Sequence, residues 1–341
     1  MVDAQKSADA YEALRAHPFV RELMQPAYGY YAVHFLCILL GFLMSAALFV
    51  IAPVWWVQLF NAVFLAFVLV QAGMFAHDLA HGQVFRDPLW DSIIGATVWG
   101  LFCGVSQTHW YAHHNAHHVH PNRIGHDPDM ELPFYFDERE LERAPRFARR
   151  FIAPMQHLLF YPLIGVSYVL LTLRGYWRLV RTPSLLGAYE AILIALHFAV
   201  LAYFLITYLA PAAIIAFLFV HILAVGLYMG LVFAPNHKGM PVFSGDDALG
   251  WKEQVRATRN IHATPLNFIL FGGLNFQIEH HLFPQMPRIN YFDVQPLVQD
   301  LCATEGVPYH EVSARRSFGE IYERLRAVAL AERSHRRRIS V

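Results

Sequence analysis

Two long stretches of this chain carry no charged side chain. No Asp, Glu, Lys or Arg occurs between Glu22 and Asp78 or between Glu190 and Lys238, which leaves uncharged runs of 55 and 47 residues. One membrane helix needs about 20 apolar residues, so each run has room for two. A proline near the middle of each run predicts the turn between them. We therefore predict an all-α integral membrane protein with four transmembrane helices near residues 29–51, 57–77, 189–208 and 212–234.

The composition agrees with a membrane protein. The chain is 56% hydrophobic and 15% charged, against roughly 45–50% and about 25% for a soluble domain. Its net charge is zero, so we expect no nucleic acid as partner. Cys37, Cys103 and Cys302 are too far apart in sequence to predict a cysteine metal site or a disulfide framework.

The placement of basic residues predicts the topology. All 26 Lys and Arg residues lie outside the two hydrophobic hairpins, which by the positive-inside rule places both termini and the central segment in the cytoplasm. No cleavable signal is recognisable before the first span, so that span should direct insertion. We predict a cytoplasmic segment at 1–28, a membrane domain at 29–310 and a basic cytoplasmic tail at 311–341.

Two shorter apolar stretches, 93–105 and 155–173, could change the number of spans. If either crossed the membrane alone, it would separate the histidine clusters described next onto opposite faces. We therefore predict that both are interfacial or re-entrant helices.

Three histidine clusters lie at the ends of apolar segments, and a further histidine follows the fourth span. Residues three or four apart share one face of a helix, so each cluster can present several imidazoles together. The set exceeds the roughly six ligands that one metal ion uses, and therefore suits two ions. The candidate ligands are His77, His81, His114, His117, His118, His237, Gln277, His280 and His281.

The ligand type narrows the metal. Imidazoles without thiolates suit iron, zinc or copper. Zinc would use three or four of them and leave about half idle, whereas a pair of irons, which can react with dioxygen, would use them all. Polar neighbours are candidates to hydrogen-bond the far ring nitrogens, although they could instead cap helix ends. These neighbours are Asp78, Asn115, Asp127, Asp129 and Glu279.

The remaining histidines fall into three groups. His34, His197 and His221 lie within the spans and are expected to be core residues that hydrogen-bond across helices, despite the functional default for such positions. Five others are expected at the surface, namely His17, His157, His262, His310 and His335. Four flank the second cluster, and spacing alone leaves open a register with His113 as a ligand; they are His109, His113, His120 and His126.

The three clusters in this order resemble the histidine boxes of membrane-bound fatty acid desaturases of the acyl-lipid and front-end branch. The resemblance covers roughly residues 30 to 310 and rests on three motifs. They are His77-Asp-Leu-Ala-His81-Gly, His114-Asn-Ala-His117-His118 with a later Asp127-Pro-Asp129, and Gly272-Gly-Leu-Asn-Phe-Gln277-Ile-Glu-His280-His281-Leu-Phe-Pro284.

The resemblance implies a non-haem di-iron oxidase. It implies four membrane helices under a cytoplasmic cap, with dioxygen as cosubstrate and a double bond installed in a long acyl chain carried on phospholipid, coenzyme A or acyl carrier protein. Gln277 stands where many relatives have a histidine. His17-Pro18 is followed by Phe-Val, which departs from the cytochrome b5 motif His-Pro-Gly-Gly. We therefore expect two electrons from an external donor such as ferredoxin, flavodoxin or cytochrome b5 with its reductase.

Other functions remain compatible with the same residues. A hydroxylase, ketolase or acetylenase could use the same iron pair. A zinc-dependent membrane lipid hydrolase would need only three or four ligands, which leaves the third cluster unexplained. A scaffold or transporter is disfavoured because transporters place polar groups at the bilayer midplane.

Overall fold

The structure is a computed structural model that describes residues 2–131 and 133–339, with side chains described for 8–131 and 133–333. It is mostly helical. The α-helices are α1 (Val2–Ala16), α2 (Pro18–Leu23), α3 (Tyr28–Ile51), α4 (Trp55–Ala80), α5 (Pro88–Thr97), α6 (Gln107–Val119), α7 (Glu138–Glu142), α8 (Gln156–Leu163), α9 (Val166–Arg181), α10 (Leu185–Tyr208), α11 (Pro211–His237), α12 (Trp251–Ala257), α13 (Pro265–Leu270), α14 (Gln277–Leu282), α15 (Tyr291–Thr304) and α16 (Ala314–Ile339).

Shorter elements join these helices. Two strands, β1 (Asn260–Ile261) and β2 (Glu311–Val312), pair in parallel. The π-helical segments are Val98–Phe102 and Ala148–Ile152, and the 3₁₀ turns are Pro128–Met130, Ala153–Met155 and Arg288–Asn290.

Within the described residues, four helices are long and apolar enough to cross a membrane: α3, α4, α10 and α11. Their bounds match the four predicted helices to within a few residues, because the uncharged runs break where proline ends one helix and begins the next. Two further pairs of helices, each interrupted by a bend, raise the number to six if each pair counts as one span. The two short apolar stretches fall in these pairs, so their interfacial or re-entrant placement stays a prediction.

The chain divides into two compact units. Unit 1 comprises Met1–Gln25, His113–Ile164 and Val232–Val341, and unit 2 comprises Pro26–Ala112 and Gly165–Leu231.

Unit 2 contains most of the apolar helices. Phe49, Leu205 and Phe217 form part of one buried core cluster. Two glycines allow backbones to touch, since a Cβ added to Gly226 would lie 2.5 Å from the carbonyl oxygen of Gly165. Larger residues would therefore push α11 away from the start of α9.

Unit 1 contains α14 and the C-terminal helix. The region that the sequence indicated as a basic tail forms β2 and the long helix α16. Ile321, Leu325 and Val328 of α16 are buried, because apolar residues recur at helical spacing between the arginines. The segment is therefore part of the folded unit as far as its side chains are described.

Candidate metal centre

Helix α6 carries the second histidine cluster, and a buried carboxylate holds its first turn. Glu190 accepts hydrogen bonds from the Ser106 hydroxyl (2.6 Å) and from the backbone N–H of Thr108 (3.1 Å). The Thr108 hydroxyl donates to the same carboxylate at 2.5 Å. An anion at this position pairs with the N–H groups that a helix start leaves unsatisfied. The start of the histidine helix is thereby fixed within unit 2.

Three histidines from three separate chain segments meet in unit 1. The Nε2 atom of His237 lies 3.2 Å from Nε2 of His117 and 3.2 Å from Nε2 of His281. The ligand atoms of these three buried rings all lie within 4.8 Å of one another. We call them the His237 group. Nitrogens that bind one cation at 2.0–2.1 Å stand about 3 Å apart, so this spacing is that of a ligand set.

The opposite ring nitrogens of the His237 group face hydrogen-bond acceptors. Nδ1 of His117 contacts a carboxylate oxygen of Asp127 at 3.0 Å, and Nδ1 of His237 contacts the Ala257 carbonyl at 3.2 Å. Nδ1 of His281 contacts Oε1 of Gln254 at 2.9 Å. Each neutral ring must therefore carry its proton on Nδ1 and present an Nε2 lone pair to the centre. Three lone pairs that face one another repel unless a cation lies between them.

A second set of three rings lies in the same unit. Nε2 of His118 is 3.0 Å from Nε2 of His114 and 3.0 Å from Nε2 of His280. We call these the His118 group. On its other side the His280 ring contacts the Tyr291 hydroxyl through Nδ1 at 3.2 Å. The neighbours His117 and His118 thus belong to different groups, and the two groups suit two ions.

Gln277 lies beside the His237 group but turns its nitrogen toward it. The Asn236 amide donates to Oε1 of Gln277 at 3.1 Å, and Nε2 of Gln277 lies 2.9 Å from Nε2 of His237. Asn236 also donates to the Val232 carbonyl, which fixes its own orientation. An amide nitrogen has no lone pair to offer a metal. Direct ligation by Gln277 therefore requires its amide to turn over.

The first histidine cluster lies in unit 2, at the end of α4. The centres of the His77 and His81 rings are 4.7 Å apart. Asp78 lies 3.3 Å from Nδ1 of His77 and accepts a hydrogen bond from the Tyr31 hydroxyl at 3.0 Å. Burial, with a smaller contribution from His77, holds the pKa of His81 well below its ordinary value. The neutral imidazole, which is the metal-binding form, is therefore the favoured one at His81.

The acidic neighbours of the histidines differ in what they contact. Asp127 is a partner of His117, and Asp129 lies 2.7 Å from Nε2 of His113 and 3.4 Å from Nδ1 of His117. Burial lowers the pKa of His117, but these two carboxylates outweigh it and leave the pKa raised. His113 is thus paired with Asp129 and belongs to neither group.

Glu279 faces away from the histidine rings. Its carboxylate accepts hydrogen bonds from the Asn260 amide and the Tyr309 hydroxyl, both at 2.7 Å. Burial raises its pKa to about 7, although both hydrogen bonds oppose the rise. It therefore anchors α14 to β1 and to the chain before β2. Among the described residues, Asn115 has no hydrogen bond with a histidine ring.

Sequence reasoning missed two residues that join the clusters. Gln254 of α12 donates to the His118 carbonyl at 2.8 Å while its Oε1 holds His281. Asn122, in a left-handed conformation with φ 53°, donates to the carbonyls of His237 and Ala257. Asparagine is among the few residues that adopt this conformation easily. The asparagine that follows His120-Pro121, just beyond the second cluster, was a usable signal, but nothing local marked Gln254.

A buried arginine caps the helix that ends in His237. The guanidinium of Arg259 donates to the carbonyls of Pro235 (2.8 Å) and Lys238 (3.0 Å) and pairs with Glu320 at 2.7 Å. A cation at the carbonyl end of a helix satisfies its unpaired acceptors. The position of His237 thus depends on Arg259.

The other histidines mostly have structural partners. His197 and His221 each place Nδ1 3.0 Å from a backbone carbonyl of another segment, which confirms the predicted role in the core. His310 pairs with Glu320, and His262 is exposed beside Glu311. The side chain of His335 lies outside the described residues.

In the described part of the chain, four apolar helices of spanning length and two histidine groups indicate an integral membrane protein whose imidazoles could hold metal. The chain belongs to the fatty acid desaturase family, whose model, described as "Fatty acid desaturase", matches residues 53–313.

The chain is similar to desaturases of several other organisms. The chain is 32% identical over 271 residues to the Delta(8)-fatty-acid desaturase of Euglena gracilis, a match that covers 73% of the chain and 62% of the relative. It is 29% identical over 294 residues to the acyl-lipid (9-3)-desaturase of Borago officinalis, with 81% and 65% covered. It is 31% identical over 270 residues to fatty acid desaturase 3 of Homo sapiens, with 77% and 59% covered. The chain spans about three fifths of the length of these relatives.

Proposed function

We propose that this chain is a membrane-bound fatty acyl desaturase, an oxygen-dependent non-haem di-iron oxidase that introduces a double bond into a long acyl chain. The observation that carries the proposal is the meeting of Nε2 atoms from α6, α11 and α14 in the His237 group, with acceptors behind every ring. Such acceptors fix the tautomer of metal-binding imidazoles. Membership of the desaturase family supports the same chemistry.

The proposed ligands of the two irons are the eight histidines of the three clusters and α11. The His237 and His118 groups supply six of them, and His77 and His81 are added because they form the first box of the family pattern. Gln277 is retained as a candidate that binds after its amide turns or through water. The set is His77, His81, His114, His117, His118, His237, Gln277, His280 and His281.

The overall reaction defines what the protein must supply. Iron held by these residues would provide reactivity with dioxygen and one-electron oxidation of an unactivated C–H bond. Two hydrogens leave adjacent carbons of the substrate with two electrons, an external donor supplies two more electrons, and two protons come from water. Dioxygen takes up these four electrons and four hydrogens and is reduced to two waters. The side chains of Asp127 and Gln254 hold ligands at fixed orientation, which keeps the reacting geometry constant.

The partners follow from the same proposal. The substrate is a long acyl chain on phospholipid, coenzyme A or acyl carrier protein. The electrons come from a separate ferredoxin, flavodoxin or cytochrome b5 system. The distribution of Lys and Arg outside the spans supports a cytoplasmic location for both termini and the histidine groups.

Expression with a compatible reductase tests the reaction. We expect about two irons per purified chain and new double bonds in the lipids of the host, located by mass spectrometry after derivatisation. A gain of 16 mass units without loss of two would instead identify a hydroxylase. If the purified chain contains zinc instead of iron and hydrolyses a lipid amide to a fatty acid and an amine, the oxidase proposal is overturned in favour of a hydrolase.

Replacement of Asp127 by asparagine tests how His117 is held. The carboxylate accepts from His117 Nδ1, from the Asn122 N–H at 2.7 Å and from the Asp129 N–H at 2.9 Å. The asparagine side chain keeps the shape of the aspartate, but its NH2 group would face one of these three N–H donors. We expect iron affinity or turnover to fall by roughly 10–100-fold, as for other partners of metal ligands. The exposed Asp246, changed to asparagine, serves as control, and equal behaviour of both variants would contradict the role of Asp127.

A further inference from the structure

Helix α9 (Val166–Arg181) has an apolar face whose large side chains are all exposed. Large apolar residues recur along it every three or four positions, so they lie on one side of the helix. Trp177 is 61% exposed and Val180 is 77% exposed. The full exposed stripe consists of Val166, Leu170, Leu173, Trp177 and Val180.

The opposite side of α9 already has protein neighbours. Gly175 is buried there, and a Cβ added to it would lie 3.4 Å from side-chain atoms of both Ser106 and His109. Gly175 lies about half a turn from Trp177 around the helix axis at 3.6 residues per turn. The helix therefore contacts unit 2 with its glycine side and leaves the apolar stripe for another occupant.

Three arginines lie on one flank of the stripe. Arg174, Arg178 and Arg181 are all exposed, and the guanidinium of Arg181 lies 4.2 Å from the centre of the Trp177 ring. The sequence has no Asp or Glu between Glu142 and Glu190. Among the described residues, no carboxylate forms an ion pair with Arg178 or Arg181. Arg178 and Arg181 therefore form a positive surface to which the described part of the chain supplies no carboxylate partner.

We infer that α9 lies in the membrane interface and binds anionic phospholipid through this flank. Apolar residues on one face with Trp and Arg beside them form the pattern of interfacial helices, in which arginine reaches the lipid phosphates. Only Thr182 to Ser184 separate α9 from the start of the spanning helix α10, so the apolar surface continues into one that lipid must cover. A second copy of this helix would repel the first because both carry the same charge.

Spin labels on the full-length protein in vesicles of phosphatidylcholine and phosphatidylglycerol identify what covers the stripe. In a Cys37→Ser background, labels are placed by Leu173→Cys and Val180→Cys, with Arg315→Cys on α16 as reference. We expect oxygen to relax the first two labels more than an aqueous nickel complex does, and the reverse at position 315. Stronger relaxation by nickel at 173 and 180 would place the stripe in water, and weak relaxation by both would place it against protein. Either result overturns the inference.

Lipid titration by native mass spectrometry tests the charge selectivity. We expect the first phosphatidylglycerol to bind more tightly than phosphatidylcholine, and the Arg178→Gln/Arg181→Gln variant to weaken that binding by about fivefold or more. The matched variant Arg256→Gln/Arg315→Gln removes two exposed arginines elsewhere and should bind like the wild type. Equal affinity for the two lipids, or an unchanged affinity in the α9 variant, would refute the selectivity. Neither measurement depends on iron or on the proposed reaction.

Discussion

Replacement of His237 by alanine is expected to remove at least one of the two proposed irons and to lower the proposed turnover by more than about 100-fold. The Nε2 atom of His237 is the common neighbour of His117, His281 and Gln277, at 3.2, 3.2 and 2.9 Å. Without this ring the remaining two imidazoles of the His237 group are left with a gap where the third donor stood. Iron per chain by mass spectrometry and double bonds formed per chain are the two measurements.

A surface histidine provides the control for this experiment. His262 is exposed and belongs to neither histidine group, so His262→Ala should keep both iron and turnover. Thermal unfolding in detergent separates loss of metal from loss of fold. A folded His237→Ala protein with full iron and full turnover would remove His237 from the proposed ligand set.

Replacement of Arg259 by leucine is expected to lower the free energy of unfolding by about 2 kcal/mol or more, because the charged hydrogen bond from its guanidinium to Glu320 is lost. The change also leaves the carbonyls of Pro235 and Lys238 without their donor. Glu320 keeps His310 and Arg316 as partners, so the carboxylate does not become isolated. Denaturant unfolding in detergent, followed by tryptophan fluorescence, gives the measurement.

The same carboxylate offers a matched control. Arg316 contacts Glu320 at 3.0 Å from an exposed position, and exposed pairs contribute about 0–1 kcal/mol. Arg316→Gln should therefore change the unfolding free energy little. Similar losses of unfolding free energy in both variants would mean that Arg259, which caps the helix ending in His237, stabilises the fold no more than the exposed Arg316 does.

The membrane helices could be predicted from sequence because their signal is local. Each uncharged run is long enough for two helices and has a proline near its middle. The observed helices Tyr28–Ile51 and Pro211–His237 begin and end close to the predicted limits. The C-terminal helix was missed because its net basic charge concealed an apolar face that includes Leu325 and Val328. From sequence alone, this face could not be recognised as buried, because the surface that it packs against is formed by distant parts of the chain.

The candidate ligands could also be predicted, but their grouping could not. Helical spacing indicated that His114, His117 and His118 act together, yet His117 joins His237 and His281 whereas His118 joins His114 and His280. Which ring faces which depends on elements more than a hundred residues away. Gln254 was missed for the same reason, since its two partners, His118 and His281, are distant in sequence.

The division of neighbouring histidines between two groups has a consequence for changes in α6. Insertion or deletion of one residue before His114 would rotate all three imidazoles by about 100° and disturb both groups together. Loop grafts intended to alter regiochemistry should therefore preserve the residue count between Ser106 and His118. Neither histidine group could be altered alone by a shift of this helix, because the same turn of backbone sets the spacing of the imidazoles in both groups.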